Sequence, residues 1–161
     1  MTYTFDDYKK DRVGKRINYE NYWPVVTYEC VEQAKHFAKL VHWVTLGWFS
    51  WSALNAWNTW SPFVWLPYQR VSYDGIGTPP RWAIVFFNKT KKNKYWHVAI
   101  AGTSSKERLR VMEQNAWQWD GDGMGGDEIT IRDYPYKGGK TGDVLWRYVL
   151  KQTTSKELYW A

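Results

Sequence analysis

The chain predicts an α+β fold in which N-terminal helices pack on an antiparallel β-sheet. Two patterns carry that prediction. Apolar residues recur at helical spacing at Val31, Ala34, Phe37, Ala38, Val41 and Val44, whereas beyond position 82 the apolar stretches are short, rich in β-branched and aromatic residues, and separated by polar turns. Helices that come first and strands that follow favour segregated layers over alternating βα units.

Taken in order, residues 1–16 are polar and charged, so neither a secretory leader nor a bilayer-spanning segment is expected there. The first helix opens at Cys30 and runs through Val44. A Trp-rich stretch over 48–65, punctuated by Ser50, Ser52 and Asn55, predicts a second short helix and then an irregular loop. Pro62, Pro67, Pro79 and Pro80 make the passage to the sheet loop-rich. Strands are expected at 82–87, 95–101, 109–114, 128–132 and 144–150. The basic run 89–94 between two of them reads as a solvated hairpin tip.

Chemistry concentrates at three places. Cys30 sits in the first turn of the predicted helix, where the helix dipole favours an anionic sulfur. His97 lies in a strand whose alternation puts Trp96, Val98 and Ile100 on one face and His97, Ala99 and Ala101 on the other. The small alanines beside the histidine leave room for a helix to approach. In the next strand Leu109, Val111, Glu113 and Asn115 share a face, so a carboxylate and a carboxamide both point toward the histidine's neighbourhood. Those are the parts of a thiol nucleophile, its base, and the groups that fix the base in one tautomer. His36 and His42, in the first helix, read as packing or surface residues.

Composition bounds the rest. At 161 residues the chain is one domain, 1–161. A net charge of +6 suggests an anionic partner, and wall polymers, nucleic acids and anionic membranes all qualify. A single cysteine excludes an internal disulfide and a thiolate metal cluster, and leaves Cys30 free to react. Thirteen tryptophans invite sugar and peptide stacking. Trp117 and Trp119, just past Asn115, and Trp51, after the nucleophile helix, are the expected substrate walls. The loop 120–127 has the composition of a calcium loop, but Met124 stands where an oxygen ligand belongs and Ile131 where the final Glu belongs. It reads as an acidic, glycine-rich flap, with a weak cation site left open. No internal repeat, low-complexity segment or linker to a second module is seen.

The order Cys30, His97-Val98-Ala99-Ile100 and Glu113-Gln114-Asn115, with a Cys-led helix upstream, resembles the CHAP domain, a cysteine, histidine-dependent amidohydrolase and peptidase of the papain-like class (NlpC/P60-CHAP type). The resemblance covers about 14–150. Residues 81–87 look like the family's first sheet strand and 143–149 like its closing strand. Two departures stand out: Glu29 replaces the usual glutamine before the nucleophile, and Pro79-Pro80-Arg81 replaces Pro-Gly-Asp.

The resemblance implies an endolysin-like peptidoglycan hydrolase of bacteriophage type that cuts an amide bond, as an N-acetylmuramoyl-L-alanine amidase or an endopeptidase. Cys30, His97, Glu113 and Asn115 would be its catalytic residues. It implies no required cofactor, though some members bind calcium, and no resident metal. The expected partner is cell-wall peptidoglycan, without nucleic acid or a membrane span. The expected state is a monomer held in the host bacterial cytoplasm until lysis. The alternatives are an inactive module that binds wall polymer, for which Glu29 speaks by repelling an oxyanion, and an injected antibacterial toxin.

Overall fold

The structure, a computed structural model, describes residues 2–17, 30–46, 53, 68–72, 78–91, 96–114, 128–137 and 144–150, and of 69–72 and 144–150 the backbone and Tyr68 alone at the start of the first strand. The polar N-terminus forms a helix, α1 (Phe5–Arg12), which the expectation for 1–16 lacked. A capping box nucleates it: Thr4 Oγ1 accepts from the Asp7 N–H, and the Asp7 carboxylate accepts from the Thr4 N–H. Asp6 and Asp7 in the first turn and basic residues in the last complement the helix dipole. Only Phe5 and Tyr8 of this helix are buried, an apolar stripe too narrow to stand out in composition.

Helix α2 (Cys30–Val41) opens at the expected cysteine but ends before Val44. Its chain doubles back instead, with the His42 and Val44 N–H groups both donating to the Ala38 carbonyl at 3.0 Å. Trp43 takes the left-handed conformation (φ 60°) that the reversal requires. Val44 is buried all the same, because the turn folds it back onto the core.

Among the described residues six antiparallel strands follow, in the order β1-β6-β2-β3-β4-β5. They are β1 (Tyr68–Ser72), β2 (Ile84–Phe87), β3 (His97–Ala101), β4 (Leu109–Glu113), β5 (Thr130–Tyr134) and β6 (Val144–Leu150). The α+β arrangement is therefore as expected, with two corrections. The strand at 84–87 is the second in chain order, since β1 precedes it in the stretch read as loop. β5 is shifted two residues beyond the expected 128–132, which brings Asp133 and Tyr134 into the strand. Lys89 and Lys91, between β2 and β3, are exposed, in line with a solvated hairpin.

The sheet separates two apolar clusters. Ala34, Phe37, Ala38 and Val41 of α2 pack with Phe5 and Tyr8 of α1 and with Ile84, Phe86, Val98, Ile100 and Met112. Val85, Phe87, Ala99, Ala101, Leu109, Val111, Tyr134 and Tyr136 form the second cluster. Alternation in β3 is thus as expected, but α2 lies over Val98 and Ile100. The alanines make room for the rings of the second cluster, and the expectation that a helix approaches them is corrected. Bulky branched side chains support the helix, while small ones beside His97 admit aromatic rings.

Two histidines gain partners that the sequence did not reveal. His36 Nδ1 is hydrogen-bonded to the Tyr8 hydroxyl at 3.0 Å, and His42 Nδ1 to the Tyr68 hydroxyl at 2.6 Å. Burial pushes both imidazoles down to about 4, with the Arg12 charge adding to the effect at His36. They serve as neutral struts: His36 ties α2 to α1, and His42, which lies one residue beyond the helix it was expected in, ties the end of α2 to β1.

Candidate active site

Each member of the predicted triad occupies an element end. Cys30 is the first residue of α2, His97 the first of β3 and Glu113 the last of β4. All three are buried, at 6%, 1% and 0% exposure. The register that pairs Ile100 with Met112 and Ala101 with Val111 puts Ala99 opposite Glu113, so His97 and Glu113 are diagonal neighbours on one face. His97 Nε2 lies 2.9 Å from Glu113 Oε2. Trp96, immediately before the histidine, has a left-handed backbone (φ 65°), a conformation costly for a bulky residue and found where a fold over-determines its geometry.

With Nε2 committed to the carboxylate, Nδ1 is the ring atom left to exchange a proton. It is buried and has no partner of hydrogen-bond geometry among the described residues. The Cys30 thiol nonetheless lies close enough to act on the ring. Burial alone would push the imidazole pKa down, but the nearby Cys30 sulfur and the Glu113 carboxylate bonded to Nε2 more than reverse this and raise it to about 10. The geometry thus favours a protonated imidazole between a carboxylate and a sulfur.

Glu113 is itself held. The Tyr134 hydroxyl donates to its other oxygen, Oε1, at 2.5 Å, and Arg132 Nε lies 3.5 Å from the same atom. Tyr134 packs edge-on against Phe87, whose ring lies 5.7 Å from that of His97. Neither Tyr134 nor Arg132 stood out in the sequence, yet a signal existed. Thr130, Arg132 and Tyr134 alternate along β5 and share the face of Glu113, and ending that strand at 132 hid its last member.

Gln114 has a different task from its neighbour. Its Oε1 accepts from the Ile17 N–H at 2.6 Å and its Nε2 donates to the Ile17 carbonyl at 2.8 Å. The carboxamide thereby imitates a strand partner for the segment that follows α1. That segment is anchored again where Gly14 donates to the Ile129 carbonyl and the Ile129 N–H to the Lys15 carbonyl. Gly14, with φ +82°, makes the turn that a side chain would strain.

Asn115, Trp51, Trp117, Trp119, Glu29, the loop 120–127 and the second predicted helix lie outside the described residues. Among the described residues no three His, Cys, Asp or Glu side chains gather as a metal site, and no helix is long and apolar enough to cross a membrane.

What the fold and this cluster define is an antiparallel α+β scaffold that brings a thiol, an imidazole and a carboxylate together at the ends of three elements. The scaffold has solved counterparts. It is similar to the wild-type endolysin LysIME-EF1, with a TM-score of 0.66 and 13% identity, over 91% of this chain and 62% of that one. It is similar also to Ly7917, with a TM-score of 0.54 and 20% identity over 79% of this chain and 56% of that one. A second structure of Ly7917, with the hydrolyzing product of MDP, gives 0.53 and 20% over 76% and 53%. The chain spans less than two-thirds of the length of these proteins. At such identities the likeness is one of fold. No family model matches the sequence, and no curated protein is significantly similar to it.

Proposed function

We propose that this chain is a peptidoglycan hydrolase that cuts an amide bond with Cys30 as nucleophile. The observation that carries the reading is the buried Cys30, His97 and Glu113 cluster, in which one imidazole nitrogen is fixed by a carboxylate and the other is left for the thiol. The fold shared with an endolysin supports a wall substrate, as does the neighbour solved with a product of MDP, a peptidoglycan fragment.

The chemistry follows from the placement. The Cys30 thiolate attacks the scissile carbonyl carbon, forming a C–S bond and an oxyanion that the free backbone N–H groups at the start of α2 face. His97 gives its Nδ1 proton to the leaving nitrogen as the C–N bond breaks, and a thioester remains. Water then attacks the thioester with His97 as base, releasing the acid and restoring the thiol. Glu113 keeps the imidazole in the tautomer that carries hydrogen on Nε2, and Asn115 is proposed to support that arrangement. Trp51, Trp117 and Trp119 are the proposed walls for sugar and peptide. The reaction needs no cofactor, and a weak calcium site in 120–127 would show itself as a calcium-dependent rate. The proposed setting is a phage-type lysin that works as a monomer, stays in the host cytoplasm until lysis and then meets the wall. Whether it acts as amidase or endopeptidase is read from the product ends.

The test is turbidity loss and amine release from purified Gram-positive and outer-membrane-stripped Gram-negative walls, with and without calcium. The wild-type protein should clear walls, and both Cys30→Ala and Cys30→Ser should not. Binding without release by all three proteins would overturn the enzyme reading in favour of a wall-binding module.

A further inference from the structure

We infer that Tyr134 is a positioning residue of the candidate site, whose hydroxyl holds Glu113 in the one rotamer that orients His97. For its kinetic consequences this rests on the hydrolase reading above; for its geometry it does not. Glu113 sits at the end of a strand, wholly buried, with rotatable bonds between its backbone and the oxygens that matter. A carboxylate bonded only at Oε2 could pivot about that contact and turn the imidazole with it. The Tyr134 hydroxyl on Oε1 and the His97 Nε2 on Oε2 pin both ends of the group, which leaves no such pivot.

The tyrosine is in turn fixed by packing. Tyr134 contacts Phe87 edge-on at 6.0 Å, and Phe87 lies against the His97 ring. The four side chains form a closed ring of contacts, His97 to Glu113 to Tyr134 to Phe87 and back, drawn from β2, β3, β4 and β5. Displacing any one of them disturbs the imidazole by two routes. Burial, followed by the charge and hydrogen bond of Glu113, raises the Tyr134 pKa above its ordinary value, so the hydroxyl stays a donor at every pH where the protein would work. Arg132, beside the same oxygen but partly exposed, contributes charge with less fixity. The groups facing His97 are thus Cys30 from α2, Phe87 from β2 and Glu113 from β4, with Tyr134 and Arg132 of β5 acting through Glu113.

The test is Tyr134→Phe, which keeps the ring and removes the hydroxyl. In the wild-type protein the His97 Nε2–H should give a downfield proton resonance, assigned by its loss in Glu113→Gln. In Tyr134→Phe that resonance should shift or broaden, kcat on wall fragments should fall about tenfold, and KM should stay within about twofold. In the Glu113→Gln background the same change should cost no further kcat. An unaltered resonance and kcat would overturn the inference, as would an equal loss in both backgrounds, which marks packing alone. Absence of the wild-type resonance would remove its basis. A wild-type protein that binds walls without cutting them would sink the hydrolase reading and leave the resonance to decide on Tyr134. Should Tyr134→Phe fail to fold, global 3-fluorotyrosine labelling perturbs the donor at nearly constant size, and an unmoved His97 resonance would then overturn the inference.

Discussion

At His97 two opposing forces can be weighed directly. Burial disfavours the imidazolium, and the neighbouring sulfur and carboxylate outweigh it, so the ring titrates near 10 instead of its ordinary 6.5. A pKa raised on folding stabilises the native state fully below the unfolded value and loses that contribution as pH rises through the folded one. The difference in unfolding free energy between wild type and Glu113→Gln, followed by urea denaturation, should therefore narrow steadily from pH 6.5 to 10. A constant gap across that range would mean that the imidazole does not titrate there. Cys30, His97 and Glu113 stood out in the sequence because strand alternation and helix spacing place them, and the structure brings the three side chains together. Tyr134 did not stand out, since its relation to Glu113 depends on a register between strands that no local pattern encodes.

Elements were legible where their apolar pattern was wide. α2 and the central strands announce themselves, whereas α1 buries only Phe5 and Tyr8 and is marked mainly by the Thr4 and Asp7 cap. β1 lay hidden because Tyr68-Gln69-Arg70-Val71-Ser72 carries too few apolar residues to compete with the prolines around it. The end of α2 was misjudged for another reason: a tryptophan occupies a left-handed position that usually falls to glycine. Trp43 is 76% exposed with φ 60°, while Lys39 Nζ donates to Thr45 Oγ1 across the same turn. Trp43→Gly should relieve the backbone and stabilise the protein by about 1 kcal/mol, seen as a higher urea midpoint at unchanged m-value. A loss of stability would mean that the indole packs in a way its exposure conceals.

On the scale of the whole molecule, the excess of cations over anions, +6, bears on encounter with a polyanion, such as the proposed wall partner, more than on the fold. Exposed charges are screened over about 8 Å at physiological ionic strength, so pelleting with purified walls should weaken markedly between low salt and about 0.5 M. Salt-insensitive pelleting would assign wall affinity to stacking and hydrogen bonds. The order of the sheet has a consequence in time as well. β6 is the last of the described strands in chain order, yet it lies between β1 and β2. At ordinary rates of translation, β1 is made roughly 4–15 s before β6, its partner among the described strands. During that interval both its edges and the outer edge of β2 are unpaired, so a nascent chain stalled before residue 144 offers chaperones, or another nascent chain, the seam that β6 is built to close.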